Sequence, residues 1–136
     1  MVDITVTPAN VRWVSGTAPR KAVAGAQIDP GELVYKDLTT LEHLLADADT
    51  DAASEVDGLA ISNGEDGREM WIAPAGARCN FGATLTAGTV YALSATAGGI
   101  APEADLATGD YIVVVCIGEG TALANLILAK GPVVHA

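Results

Sequence analysis

Val56 to Ile61 reads VDGLAI and Ile112 to Ile117 reads IVVVCI, and the second run stands 56 residues after the first. Each is a short apolar run bounded by turn residues, which predicts a strand. Their surroundings recur at the same offset. Tyr35 falls on Tyr91, each closing a short run (IDPGELVY and LTAGTVY). Ala48 and Asp49 fall on Ala104 and Asp105, Gly64 on Gly120, and Met70, Ile72 and Ala73 on Leu126, Leu128 and Ala129. What repeats is strand and turn. A catalytic residue would stand out as an exception to such a pattern, and none clearly does. The repeat therefore points to a structural or binding module before an enzyme.

Outward from these runs the punctuation is dense. Asp29-Pro30-Gly31 is a turn signature, and Leu33 to Tyr35 is the strand that follows. Glu69 to Ala73, Val90 to Leu93, Leu123 to Leu128 and Val133-Val134 read as further strands, with Asn63-Gly64, Ala87-Gly88 and Gly118 to Gly120 as turns. Tyr111 to Ile117 is apolar without alternation, so both its faces are expected to be buried. One helix is expected: Thr39 and Glu42 have capping-box spacing, and Leu41, Leu44 and Leu45 would share a face. Short strands at this frequency predict a mainly β fold. It is a small β-barrel or β-sandwich built from two tandem related β units, with at most one short helix. The units are residues 25–76 and 82–133 of a single domain, 25–136, and Ala97 to Pro102 is a loop in the second.

Residues 1–24 read as an extended N-terminal arm. Ile4 to Val6 has strand character, but Pro8, Gly16 and Pro19 break the chain. The arm carries three bases and one acid, a net +2, against four bases and sixteen acids, a net −12, in residues 25–136. A basic arm of this kind is expected to order on an acidic neighbour, such as the next copy of the chain. Its candidate contact residues are Ile4, Val6, Val11, Arg12, Trp13, Arg20 and Lys21.

The 136-residue chain has a net charge of −10, so no nucleic-acid partner is expected, because phosphate contacts need Lys and Arg. No run of 18 apolar residues and no basic-then-apolar leader occurs, so neither a membrane span nor export is expected. Cys79 and Cys116 lack the spacing of a zinc site, and Cys116 within VVVCI reads as a small core residue. Asp47, Asp49 and Asp51 resemble the start of a calcium loop. Ala52 and Gly58 stand where that loop needs Gly and Glu, so a solvated acidic turn is expected. No nucleotide motif and no nucleophile elbow occurs. His43 and His135 are expected to be exposed rather than catalytic. No cofactor, metal or enzymatic activity is expected.

The second repeat, Gly88 to Gly118 (GTVYALSATAGGIAPEADLATGDYIVVVCIG), resembles a segment of small virion proteins of tailed bacteriophages. GELVYKD and LADADTDAASEVDGLAIS in the first repeat are similar to the matching segment of phage capsid cement, or head decoration, proteins. The resemblance covers residues 25–134. It implies a β-rich protein made in the bacterial host cytoplasm and carried on the outer surface of the virion capsid. There it would bind the major capsid protein, often as a homotrimer, and brace neighbouring capsomers. No catalytic residues come with it. The alternative is a receptor- or carbohydrate-binding module of a head fibre or tail. Sugar platforms are usually aromatic, and the few aromatic residues here favour cement.

Overall fold

The computed structural model describes residues 3–134. Twelve strands in three antiparallel sheets make up the fold, and its only helical segments among the described residues are three short 3-10 turns. The strands are β1 (Arg12–Gly16), β2 (Arg20–Val23), β3 (Leu33–Lys36), β4 (His43–Leu45), β5 (Val56–Ala60), β6 (Glu69–Ala73), β7 (Ala77–Asn80), β8 (Val90–Leu93), β9 (Ile100–Pro102), β10 (Tyr111–Ile117), β11 (Leu123–Asn125) and β12 (Ala129–Val134).

The first unit has the order β6-β5-β3-β4 and the second the order β12-β10-β8-β9. They also share register. Val34, Tyr35 and Lys36 face Leu45, Leu44 and His43, while Tyr91, Ala92 and Leu93 face Pro102, Ala101 and Ile100. Each residue of the first set lies 57 positions before its counterpart. On the other side, Val34 faces Gly58 and Tyr35 faces Val56, which leaves Asp57 bulged. Tyr91 faces Cys116 and Ala92 faces Val114, which leaves Val115 bulged at the same place. The pairing is therefore out of step with the 56-residue recurrence of the sequence, by one residue in β3 and β4 and by two in β5. Val34, not Tyr35, occupies the place of Tyr91. Because strand side chains alternate, the single step exchanges the two faces of β3 and β4, while the double step leaves those of β5 as they were.

Strand β2 adds to β6, giving a five-stranded sheet in which Arg20, Lys21, Ala22 and Val23 face Ile72, Trp71, Met70 and Glu69. This sheet curls until its edges meet. Ala24, just past β2, bridges His43 of β4, and Gly25 N–H donates to His43 O at 2.8 Å. One face, carrying Ala22, Ala24, Ile28, Val34, Ala60, Met70 and Ile72, packs inside the resulting small barrel. The other face, carrying Leu33, Leu59 and Ala73, joins the larger core, with Phe81, Leu93, Val113 and Val115. The third sheet, β1-β7-β11, sets Cys79 and Ala124 against that same core.

The leading segment is extended, but it pairs with its own chain. Ile4 N–H donates to Ile100 O at 2.9 Å and Thr7 N–H to Gly82 O at 2.8 Å, while β1 pairs with β7 and β2 with β6. An arm that orders only on a neighbour is thus corrected: its amides already have partners in the body. Ile4 to Val6 lies outside the named strands.

The expected helix at Thr39 to Leu45 is also corrected. Residues 38–40 are a turn and His43–Leu45 is β4. Asp37 Oδ1 accepts from Thr39 N–H at 2.8 Å and from Thr40 N–H at 3.3 Å, so the polar side chain that holds this segment makes a turn instead of a cap. A two-turn helix is marginal in isolation, and pairing with β3 outweighs it. Within the expected loop at Ala97 to Pro102, Ile100–Pro102 is β9.

Candidate interaction surface

The seven expected contact residues divide into two groups. Val11 is buried in the larger core, and Ile4 and Val6 pack against that core from its margin. These three hold the leading segment to the body. Arg12 and Trp13 are exposed on β1, and Arg20 and Lys21 are exposed on β2, in two different sheets. All five residues of β1 are exposed, and it is an edge strand paired on one side only, to β7. Unpaired edges of this kind accept a further strand.

Trp13 is 37% exposed, and its indole N–H donates to Thr17 O at 2.9 Å. That bond satisfies the only polar atom of the side chain and leaves ring area facing solvent. Val14 on β1 and Val23 on β2 are exposed as well. Trp71, beside Lys21 in the β2–β6 pair, is 45% exposed. Lys21 Nζ lies 5.6 Å from its ring centroid, a cation–π contact that holds both side chains over the sheet. Trp71 and Val14 were not singled out by the sequence. Trp71 sits in an apolar strand, MWIA, where burial is the default reading; only the addition of β2 shows that its side points outward.

Arg20 of β2 belongs to a polar cluster with His43 and Asp57. The bulge in β5 turns Asp57 out of the ladder, a common use of bulges. Its Oδ2 stands 2.6 Å from His43 Nε2, and its Oδ1 accepts from the Arg20 guanidinium. The hydrogen bond from His43, then those from Arg20, holds the Asp57 carboxyl below the usual carboxylate range against the opposing effect of burial. His43 is buried, which corrects the expectation of an exposed side chain, and its Nδ1 has no hydrogen-bond partner. The reason is the barrel seam: β4 is the strand that β2 closes upon. His135 lies outside the described residues.

The acidic turn uses its carboxylates locally. Asp47 Oδ1 accepts from Asp49 N–H at 3.0 Å, and Lys130 pairs with Asp51 and, at 2.9 Å, with Glu55. Among the described residues no group of three or more His, Cys, Asp or Glu is arranged to hold a metal ion. Among them, too, no helix is long and apolar enough to cross a membrane. Cys79 and Cys116 are free and buried, and burial pushes their thiols up to about 11 and about 12. No family model and no curated protein matches the chain.

Proposed function

We propose that the protein is a structural virion component of the cement class. It binds the outer surface of a phage head and stabilises contacts between capsomers, with the major capsid protein and further copies of itself, as a homotrimer, as partners. The resemblance of Gly88 to Gly118 to small virion proteins suggests the class. The observation that carries the reading is a set of large apolar side chains that face solvent, Trp13 and Val14 on β1, Val23 on β2 and Trp71 on β6, with Arg12 and Lys21 next to them on the same strands. Large apolar groups beside cations are what interface anchors look like. A rigid body that buries about 800 Å² per partner across a capsomer seam adds its binding free energy to that seam. Many equivalent seams multiply a small gain per site.

The test compares particles with and without the protein. Cement predicts normal assembly and earlier DNA release on heating. A Trp13→Ala, Trp71→Ala double variant should bind particles at reduced occupancy while keeping its own melting temperature. Unchanged heat resistance together with lost adsorption to cells would replace this reading with the fibre or tail adhesin.

A further inference from the structure

The sheet β1-β7-β11 carries two arginines on its outward face. Arg12 faces Asn80 across β1 and β7, and Arg78 faces Asn125 across β7 and β11. Cys79 and Ala124, which alternate with them, turn to the core, so these four polar side chains share the opposite face. Arg78 holds the Glu119 carboxylate with a fork: Nη1 donates to Oε2 and Nη2 to Oε1, each at 2.9 Å. Nη1 also donates to Asn125 Oδ1 at 3.3 Å. Two parallel bonds of this kind are how a guanidinium recognises a carboxylate.

Arg12 has the same kind of company without the acid. Asn10, Asn80, Ala83 and Thr84 line one open pocket with it, of about 330 Å³. The Arg12 guanidinium makes no hydrogen bond or ion pair among the described residues. Asn80 Oδ1 accepts from Gly82 N–H at 2.8 Å, which fixes the amide and leaves its NH₂ to donate. Gly82, at φ 73°, turns the chain, and the N–H groups of Ala83 and Thr84 that follow have no acceptor among the described residues. Successive free amides in a turn are a recurrent anion cradle.

Charge sets this pocket apart. The chain has seventeen acids and seven bases, and five of the bases, Arg20, Lys21, Arg68, Arg78 and Lys130, pair with a carboxylate. Lys36 lines pockets together with Asp37, Glu55 and Glu69. No residue that lines the Arg12 pocket is acidic. In a chain so rich in carboxylates, a guanidinium surrounded only by further donors attracts an anion from outside.

We propose that this pocket binds a carboxylate, and that its occupant is an aspartate or glutamate side chain of a partner protein. Glu119 on Arg78 shows the same pairing within the chain, on the same sheet face. The magnitude of such a pair decides the source. An exposed ion pair in water contributes little, so a small free acid would be held only weakly. A protein that presents the carboxylate also covers Trp13 and Val14, exposed beside Arg12 on β1. Those side chains supply buried area, and the fork at Arg12 fixes orientation. That the partner is a capsid protein rests on the cement reading; the carboxylate chemistry does not.

The test is NMR of the intact chain titrated with N-acetylglutamate amide, with N-acetylglutamine amide at equal ionic strength as the uncharged control. The amides of Ala83 and Thr84 and the Arg12 Nε–H should shift saturably with the glutamate compound and stay still with the control. Arg12→Gln should abolish the Ala83 and Thr84 shifts with unchanged circular dichroism. Arg12→Lys, which keeps the charge and loses the fork, should weaken them. Shifts that do not saturate, equal shifts with the control, or undiminished binding by either variant would overturn the inference. On particles, Arg12→Gln should bind about tenfold more weakly than wild type, the usual scale of a lost charged hydrogen bond. Equal binding would overturn the occupant. Self-association of wild type that Arg12→Gln abolishes would assign the carboxylate to a second copy and also overturn it. A wild type that binds no particle would remove the cement reading, and the titration would still decide the site.

Discussion

His43 Nε2 lies 2.6 Å from Asp57 Oδ2, although the strands that carry them, β4 and β5, are separated by β3. Arg20 reaches the same carboxylate from β2, across β6. Asp57 therefore ties together the two edges of the curled sheet where Ala24 meets His43. The carboxylate is 29% exposed and the imidazole 7%, so the pair is shielded but not dry.

Asp57→Asn tests this tie. It keeps the size of the side chain and removes its charge. At neutral pH the variant should lose roughly 1–3 kcal/mol, the usual cost of spoiling a charged hydrogen bond at a largely buried partner. The Asp57 carboxyl is held low when folded, so its contribution is complete above the unfolded value of about 3.9 and fades as pH falls through the folded value beneath it. Urea melts at about pH 7 and about pH 3 check both statements. The gap between wild type and variant should shrink in acid, and a gap of equal size at both would sink the assignment.

The thiols titrate in the opposite sense. Folding raises Cys79 to about 11 and Cys116 to about 12, from near 9. The folded chain then holds protons that the unfolded chain releases, so stability is full below about pH 9 and declines above it. Neither thiol should react with a disulfide reagent at about pH 8 in the native state, and both should react once the chain is denatured. Rapid labelling of either native thiol would contradict the buried positions found here.

Strand positions were largely legible in the sequence, and their partners were not. Val56–Ala60, Glu69–Ala73, Val90–Leu93 and Tyr111–Ile117 are strands as their apolar, β-branched runs predict. Arg12–Gly16, Arg20–Val23 and Ala77–Asn80 carry no such run; β1 forms against β7, β2 against β6, and β7 between β1 and β11, which is information from elsewhere in the chain. Leu44 and Leu45 suit a helix face equally well, and only the pairing of β4 with β3 decides against it. The ion-pair cluster was invisible for a related reason. Its members, Arg20, His43 and Asp57, come from three strands, and a bulge that no residue type announces aims Asp57 at its partners.

Leu59 and Ile117 occupy the same place in the two units with different surroundings. Leu59 is 0% exposed and Ile117 is 47% exposed. Leu59→Ala should cost about 2–5 kcal/mol, through lost transfer energy and the cavity left behind. Ile117→Ala should cost under about 1 kcal/mol in the monomer, as solvent-facing changes do. Chemical denaturation at a concentration where the chain is monomeric separates the two. Comparable losses would mean that the end of β10 is covered within the monomer.

Gly31 and Gly88 make the same comparison at the backbone. Both precede the first strand of a unit, both have positive φ, 95° and 79°, and both donate to the facing strand: Gly31 N–H to Ala60 O at 2.8 Å and Gly88 N–H to Gly118 O at 2.9 Å. An alanine at either position bears the left-handed penalty of about 1–2 kcal/mol. Gly88→Ala should cost little else, since its Cβ meets nothing within 4 Å. In Gly31→Ala the new methyl would stand 2.5 Å from Val6 Cγ1 and 3.1 Å from Val11 Cγ2. Valine is stiff about χ1, so Val6 cannot swing aside cheaply and the segment that carries it must move. That adds about 1–3 kcal/mol of overpacking. Strain of this origin has a location. The amides of Ile4 and Thr7, which bond Ile100 O and Gly82 O, should exchange faster in Gly31→Ala and at the wild-type rate in Gly88→Ala. Equal protection of those two amides in both variants would show that residues 3–11 are not held against the turn at Gly31.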